Sequence, residues 1–367
     1  MKKNSFIRQA LDKINPYIPG QSIEEIKEKH GLKDVVKLAS NENPLGVAPS
    51  ALKILPKEIW NLNYYPLSEA PQLKQKLAER LGVAQNQLLV GNGSDEIMSL
   101  AALAFLNPAE KALVPFPSFQ TYEIVTRMMA AEIVKISFVN YRYDLQAFLE
   151  KIDSRVKVIF LCSPNNHTGV IFRQDQWREF IQEVPEDVLV VVDEAYHEYV
   201  TDREYPKTIL DIASGKSVLI LRTFSKIYGL AGLRVGYGIS RPEIIEALRK
   251  VRLPFSVNYL AQKAAWAALD DERFVEESLT VNESGKKYLS AQLRSLGLNF
   301  IKTEANFIFI EVEMNAQTLA EEMSRLGVIV RPLNGFGMSK AIRVTIGKPE
   351  QNERFILALT QCLDWLR

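Results

Sequence analysis

Residues 156–164 read VKVIFLCSP, residues 188–196 read VLVVVDEAY and residues 217–225 read SVLILRTFS. In each stretch, four or five apolar residues run together before polar residues follow. Such runs are typical of strands that are buried on both faces. The segment RQDQWREFIQEV (173–184) separates the first two runs and has the apolar spacing of a helix. Strands that alternate with helices predict a mostly parallel sheet with right-handed crossovers.

The same alternation extends outward from these runs and covers roughly residues 45–250. After Pro254 the pattern changes to a long helical region from about Tyr259 to Leu296, followed by short apolar strands and a last helix. We therefore predict an α/β fold whose large domain, residues 45–250, contains a mostly parallel sheet flanked by helices. Residues 1–44 and 251–367 are predicted to form a small α+β domain from both chain ends.

The composition excludes several classes of protein. Of the 367 residues, 47% are hydrophobic and 24% are charged, which is the balance of a globular protein. Lys and Arg number 45 against 44 Asp and Glu, so no basic excess points to nucleic acid. We expect no signal peptide and, without a run of 18 apolar residues, no membrane span. Cys162 and Cys362 are too few for a disulfide framework or a zinc site, so we expect no metal and a cytoplasmic location.

Ligands of a doubly wound sheet bind at the carboxyl ends of its strands, and four strands here end in polar clusters. LLVGNGSDE (88–96) contains Gly93, Ser94 and Asp95 at the start of a predicted helix, where free backbone N–H groups attract an anion. A plain capped turn would use the same residues. LCSPNNHTG (161–169) brings Asn166 to a strand end, and its alternative interpretation is an ordinary polar loop.

The other two clusters carry charged groups. Asp193 directly follows five apolar residues, so its carboxylate must be paired or hydrogen-bonded. It is either the counter-ion of a bound cation, which Tyr196 would also face, or part of a structural ion pair. Lys226 follows a strand and two hydroxyl residues, and Arg234 comes eight positions later. These surroundings would lower the pKa of the lysine and make it a nucleophilic amine, although most lysines simply face solvent.

Together, the four clusters specify one ligand. Lys226 needs a carbonyl group, Asp193 needs a cationic ring, and the hydroxyl and arginine side chains need a phosphate. Pyridoxal 5′-phosphate has all three groups. Asp193 would keep its pyridine nitrogen protonated, so that the ring accepts electrons, while Asn166 and Tyr196 would hydrogen-bond its phenolate oxygen. The phosphate would be held by Ser94, Thr223, Ser225 and Arg234.

Two motifs carry a resemblance to a known family. S-K-x-x-G-L-A-G-L-R occurs in full at residues 225–234, and N-x-T-G occurs at 166–169. With these, the chain resembles the pyridoxal-phosphate aminotransferases of fold type I, class I/II. Within that superfamily it looks like the histidinol-phosphate aminotransferases over nearly its whole length. The further matching segments are NPYIPGQ (15–21), LASNENPLG (38–46), YYP (64–66), RLPFSVN (252–258), ANFIFIEV (305–312) and IRVTIG (342–347).

The resemblance implies roles for individual residues. Lys226 would be the Schiff-base lysine and then the proton shuttle. Phe119 would stack on the cofactor, and Tyr65 would reach the phosphate in a neighbouring subunit, which implies a homodimer. Gly93 would also hold the cofactor phosphate, and Asp95 would be a further cofactor-binding residue. The residues implied at the substrate are Tyr17, Asn43, Arg331 and Arg343. Arg343 would clamp a carboxylate by a bidentate pair. Arg331 is a second candidate for binding a substrate phosphate, and its alternative interpretation is a surface arginine.

The resemblance also implies a reaction, namely a ping-pong amino transfer between an amino donor and a 2-oxo acid. The expected pair is histidinol phosphate and 2-oxoglutarate, which give imidazole-acetol phosphate and glutamate in histidine biosynthesis. The chain departs from the family in three places, with His167 for proline, Phe119 for tyrosine and YPLSEAPQL (65–73) for YPDG-x-G. An aromatic amino acid aminotransferase and a threonine-phosphate decarboxylase are therefore alternatives. The intact Lys226, Asp193 and Arg343 argue against a non-catalytic cofactor-binding module.

Overall fold

The computed structural model describes residues 6–366. Its strands are β1 (Val36–Lys37), β2 (Leu88–Gly91), β3 (Lys111–Phe116), β4 (Glu132–Ser137), β5 (Val156–Cys162), β6 (Leu189–Asp193), β7 (Val218–Thr223), β8 (Gly236–Ile239), β9 (Phe307–Glu311), β10 (Val328–Ile329), β11 (Arg331–Pro332) and β12 (Ala341–Thr345). Its α-helices are α1 (Ile23–His30), α2 (Pro49–Glu58), α3 (Pro71–Leu81), α4 (Gly93–Phe105), α5 (Gln120–Met128), α6 (Leu145–Leu149), α7 (Gln174–Glu183), α8 (Ile209–Ala213), α9 (Pro242–Val251), α10 (Tyr259–Ala268), α11 (Glu272–Ser295), α12 (Ala316–Arg325) and α13 (Pro349–Leu366).

The large sheet has the strand order β2-β8-β7-β6-β5-β3-β4. From β7 to β4 every neighbouring pair is parallel, whereas β8 is antiparallel to both of its neighbours. The prediction of a mostly parallel α/β sheet is therefore confirmed. β8 differs because the loop after β7 contains only the short 3-10 turn Ala231–Leu233, and a parallel return would need a crossover helix.

Both faces of this sheet are buried, which explains the unbroken apolar runs. In β7, Val218 and Ile220 belong to the core on one face, while Leu219 and Leu221 belong to the core on the other. Because successive side chains of a strand point to opposite faces, each position must be apolar when helices cover both sides. The carboxyl ends of β6 and β7 are consequently held in a rigid frame, and polar side chains begin there.

The smaller unit has its own core. β9, β12 and β11 form an antiparallel sheet, and β1 pairs in parallel with β10, which ties an early segment to the C-terminal part.

In contrast, α10 packs against α2 and α3, and Ala264 and Ala268 lie in the core of the large sheet. The sequence places α10 in the small domain, whereas its buried alanines pack with the large sheet, because an alanine-rich sequence predicts a helix but not the sheet that the helix covers. The domain boundary at residue 250 stays a prediction.

No helix within residues 6–366 is long and apolar enough to cross a membrane. In the same range, no three His, Cys, Asp or Glu side chains come together as the ligands of a metal ion would.

Candidate active site

A cavity of about 230 Å³ lies where β6 and β7 end, and both the large sheet and the smaller unit contribute to its wall. The sequence-predicted residues that line it are Tyr17, Ser94, Asp95, Phe119, Asn166, Asp193, Tyr196, Thr223, Ser225, Lys226, Arg234, Arg331 and Arg343. The folded chain thus brings together side chains that lie more than 300 positions apart in sequence.

One end of the cavity is built to hold an anion. The first turn of α4 carries Ser94 and Asp95 there, with the positive end of the helix dipole and free N–H groups. The Thr223 hydroxyl donates to Ser225 Oγ at 3.0 Å, and the Ser225 N–H donates to Thr223 Oγ1 at 3.1 Å. Arg234 Nη1 lies 3.4 Å from Ser225 Oγ, and Arg234 Nη2 lies 3.0 Å from Asp95 Oδ2. This set of donors suits a phosphate group. We call it the phosphate cradle.

Two glycines make room for the phosphate cradle. Gly93 has φ +76°, and a Cβ atom there would lie 2.6 Å from Arg234 Nη2. A Cβ on Gly236 would lie 2.7 Å from the backbone nitrogen of Ser94. Any other residue at either position would therefore push against a donor of the cradle, and at Gly93 it would also adopt an unfavourable backbone conformation.

Asp193 is a buried carboxylate at the end of β6. The Tyr122 hydroxyl donates to its Oδ2 at 2.7 Å, and the Ala195 N–H donates to its Oδ1 at 3.1 Å. Burial raises the pKa of Asp193 to about 6, and the bond from Tyr122 opposes that rise. The carboxylate is therefore ionised at neutral pH although it is withdrawn from water, which suits it to pair with a cation.

Lys226 lies just beyond β7, and its Nζ donates to the carbonyl oxygen of Ser40 at 3.1 Å. The same nitrogen lies 5.7 Å from the centre of the Tyr196 ring. Burial and the charge of Arg343 lower the pKa of Lys226 to about 8. At pH 7 roughly a tenth of this amine is therefore unprotonated, far more than of an ordinary lysine, and a nucleophile requires that form.

Tyr196 is a fully buried phenol held by two amides. Its hydroxyl accepts a hydrogen bond from Asn41 Nδ2 at 2.8 Å and another from Asn166 Nδ2 at 2.9 Å. Burial raises the pKa of Tyr196, so the hydroxyl keeps its proton at neutral pH. Because both amides act as donors, the phenolic proton is left to point at a ligand oxygen in the cavity.

A second cationic corner lies at Arg343 and Arg331. Arg343 Nη1 donates to the carbonyl and side-chain oxygens of Asn166 at 2.8 and 2.9 Å, and Nη2 donates to the Ala39 carbonyl at 3.0 Å. Its Nε is buried and has no partner among the described residues. Burial lowers the pKa of Arg343. Arg331 Nη2 donates to the Ile18 carbonyl at 3.1 Å, and the corner as a whole suits a second anionic group.

Comparison with known proteins assigns these residues to a family. The sequence pattern of the family described as aminotransferase class I and II matches residues 33–359. The histidinol-phosphate aminotransferase of Moorella thermoacetica is 47% identical over 97% of this chain and 92% of its own length. That of Caldicellulosiruptor saccharolyticus is 43% identical over 97% of this chain and 99% of its own. The chain belongs to the class I and II aminotransferase family.

A solved structure shows that the fold of this aminotransferase is shared. The histidinol-phosphate aminotransferase of Sinorhizobium meliloti, in complex with pyridoxal-5′-phosphate, superimposes with a TM-score of 0.90 and covers 99% of each chain at 24% identity. The fold type I architecture expected from the sequence is therefore confirmed.

Three residues that the sequence assigned to the aminotransferase site do not line the cavity: Gly93, which borders the phosphate cradle, and Asn43 and Tyr65, which lie farther away. Asn43 is buried, and its Nδ2 donates to the Ile227 carbonyl at 2.7 Å and to Ser278 Oγ at 2.9 Å. Asn41, not Asn43, lines the cavity, so the substrate contact expected of Asn43 is corrected. Tyr65 is 82% exposed and stacks on the Phe255 ring at 4.8 Å, outside the cavity of its own chain.

Asn41 and Phe336 in the cavity wall, and Tyr122 behind Asp193, contribute to the site but are not among the residues that the sequence predicts there. Asn41 belongs to the LASNENPLG segment, in which the resemblance implies Asn43 as the substrate contact. Tyr122 follows Phe119 by three positions, which is the spacing of neighbours on a helix, and this was the available signal. Phe336 lines the cavity from a Gly-Phe-Gly turn, and nothing in the local pattern indicates a site there.

Proposed function

We propose that this chain is a pyridoxal-phosphate-dependent histidinol-phosphate aminotransferase, which converts histidinol phosphate and 2-oxoglutarate into imidazole-acetol phosphate and glutamate. The observation that carries the proposal is a cavity with an anion site at each of two ends. The phosphate cradle suits the phosphate of the cofactor, and the corner of Arg331 and Arg343 suits that of the substrate. Relatives that are 47% and 43% identical over nearly the whole chain carry this name, which supports the proposed substrate.

The donor set of the cavity fits pyridoxal phosphate. Lys226 would bond its carbonyl carbon, Asp193 would pair with its pyridine nitrogen, and the hydroxyl of Tyr196 would donate to its phenolate oxygen. When bound, the cofactor supplies an acceptor for the electrons of the substrate bond that breaks. Phe119, which lies edge-on to Tyr122 at 5.8 Å between ring centres, would cover one face of the ring.

The proton transfer is assigned to Lys226. A lysine with a pKa of about 8 changes protonation state readily near neutral pH, which suits it to take the proton from the substrate Cα and return it at cofactor C4′. Asn41 and Asn166 would hold Tyr196 in place meanwhile. Arg343 would give up its bond to the Ala39 carbonyl or the Asn166 side chain when it binds the carboxylate of glutamate by a bidentate pair.

The test is a comparison of half-reactions in the wild type and in Arg331→Ala. Histidinol phosphate brings a phosphate whereas phenylalanine does not, so the variant should lose about 10- to 150-fold in kcat/KM with histidinol phosphate and little with phenylalanine. Arg325→Ala, a change on the exposed face of α12, is the matched control and should leave both rates unchanged. If the wild type turns over phenylalanine briskly and ignores histidinol phosphate, the aromatic alternative is correct.

The active enzyme is further proposed to be a homodimer. Large apolar side chains are exposed beside Tyr65, and a second copy of the chain would cover them. They are Trp60, Leu62, Tyr64, Leu67 and Leu253. Sedimentation that shows a fully active monomer at assay concentration would refute this. Tyr65→Phe should weaken cofactor binding by about 1.5–3 kcal/mol if the hydroxyl reaches the neighbouring phosphate. The cytoplasmic location stays a prediction.

A further inference from the structure

His167 is one of the three places where the sequence departs from the pattern of the family that it resembles, and its environment is unusual. The side chain is 1% exposed, and neither ring nitrogen has a hydrogen-bond partner within the described part of the chain. Burial and the charges of Arg343 and Arg331 hold the pKa of His167 well below its usual range, so the ring is neutral. A buried imidazole with two unpaired nitrogens is destabilising, so hydrogen bonding does not explain this side chain.

The loop beneath His167 is rigid. The His167 N–H donates to Asn165 Oδ1 at 3.0 Å, and the Gly169 N–H closes the turn on the Asn165 carbonyl at 2.9 Å. Gly169 has φ +74° and lies against Thr303, where a Cβ would come within 2.0 Å of the Thr303 hydroxyl oxygen. These contacts fix the backbone from which the imidazole projects.

The ring of His167 packs against Phe336, with 4.2 Å between the ring centres and 55° between the planes. Phe336 is half-buried and ends a single 3-10 turn between Gly335 and Gly337. On the cavity side, the guanidinium carbon of Arg331 lies 5.4 Å from the centre of the Phe336 ring and 5.9 Å from that of Tyr17. His167, Phe336 and Arg331 therefore form a series of contacts that leads from the loop to a cation in the cavity wall, and Tyr17 lies against the same guanidinium.

We propose that His167 is a specificity-determining positioning residue, which seats Phe336 and through it holds Arg331 where the phosphate of the substrate binds. This rests on the proposed function, because Arg331 is the assigned phosphate ligand there. The contribution of His167 is the flat face of its ring and not a hydrogen bond, since both nitrogens are buried without partners. A proline at this position has no flat ring to offer to Phe336.

The proposal predicts different KM values for two variants at position 167. His167→Ala removes the ring, so the KM for histidinol phosphate should rise about 3- to 10-fold, the effect of one lost aromatic contact, while kcat changes little. The KM for phenylalanine, which carries no phosphate, should stay the same. His167→Phe keeps a ring and removes the unpaired nitrogens, so it should retain the KM for histidinol phosphate within about 2-fold.

Each variant is purified as the holoenzyme, and its cofactor absorption band and thermal melting are recorded so that misfolded protein is recognised. Phe336→Leu tests the same stack from its next member and should reproduce the effect of His167→Ala. The proposal is overturned if His167→Ala leaves the KM for histidinol phosphate unchanged, or if His167→Phe is as impaired as His167→Ala, because the nitrogens would then matter rather than the ring.

Crystal structures of the two holoenzymes separate this proposal from the proposed function. With alanine at position 167, the Phe336 ring should turn and the Arg331 guanidinium should leave its place, whereas with phenylalanine both should stay. An unmoved Arg331 in the alanine variant refutes the positioning role. If the wild type fails to use histidinol phosphate, the proposed substrate is wrong, and the position of Arg331 still decides whether His167 seats it.

Discussion

Replacing Tyr122 by phenylalanine tests how the cavity keeps Asp193 ionised. The Tyr122 hydroxyl donates the 2.7 Å bond to Asp193 Oδ2, and both side chains are buried. Burial raises the pKa of Asp193 to about 6, and this bond restrains the rise. A hydrogen bond to a charged group contributes about 1.5–3 kcal/mol, and one pKa unit corresponds to about 1.4 kcal/mol. The loss of the bond should therefore raise the pKa of Asp193 by about 1–2 units.

The expected result is a shift in the pH dependence of cofactor affinity. The ionised carboxylate pairs with the pyridine nitrogen, so the affinity of the cofactor-free enzyme should fall as the pH drops through the pKa of Asp193. The wild-type midpoint is expected at about 6. In Tyr122→Phe it should lie at about 7–8, and at about pH 7.5 the ionised fraction of Asp193 should fall from about 97% to about 25–75%.

The assay is a titration of the cofactor-free enzyme with pyridoxal phosphate, followed by absorbance between about pH 5.5 and about pH 8.5. Tyr205→Phe is the matched control, because it removes a phenolic bond of 2.6 Å to the Ser163 carbonyl and leaves Asp193 alone. The reasoning is refuted if the midpoint of Tyr122→Phe stays at about 6, or if the control moves by the same amount.

Two further predictions concern Lys226 and Gly93. The rate at which the cofactor attaches to Lys226 should rise with pH, with a midpoint at about 8, since the neutral amine attacks. Arg343→Met should move that midpoint upward, because the charge of Arg343 lowers the pKa of Lys226. Stopped-flow absorbance measures this rate, and a wild-type midpoint near the ordinary lysine value of 10.5 would contradict it. Gly93→Ala should weaken cofactor binding about 5- to 150-fold. The alanine would have to adopt the strained φ of +76°, and its Cβ would displace the guanidinium of Arg234. Cofactor affinity is measured by equilibrium dialysis, and Gly215→Ala is the control, since Gly215 has φ +80° but no neighbour within 4 Å of the added carbon. Equal losses of cofactor affinity in both variants would exclude a specific role for Gly93.

Local sequence determined the architecture of the large sheet and the charged residues at its edge. Unbroken apolar runs require burial on both faces, and this requires helices on both sides of a mostly parallel sheet. Once that sheet is accepted, the carboxyl ends of its strands share one edge. Asp193 and Lys226 therefore had to lie near each other, and both line the cavity. This step needed only the order of residues along the chain.

Tertiary structure decided which side chains complete the site. Asn41 and Asn43 have the same chemistry and stand two positions apart, but Asn41 meets Tyr196 across 155 positions of sequence while Asn43 meets Ser278 across 235. The region from Tyr259 to Leu296 reads as one helical stretch, yet α10 ends at Ala268 and packs on the large sheet. Apolar periodicity reports that a helix has a buried face, but it does not report what covers that face. Contacts between distant segments depend on how the whole chain packs, so the neighbours of Tyr122, His167 and Phe336 could be read only from the folded protein.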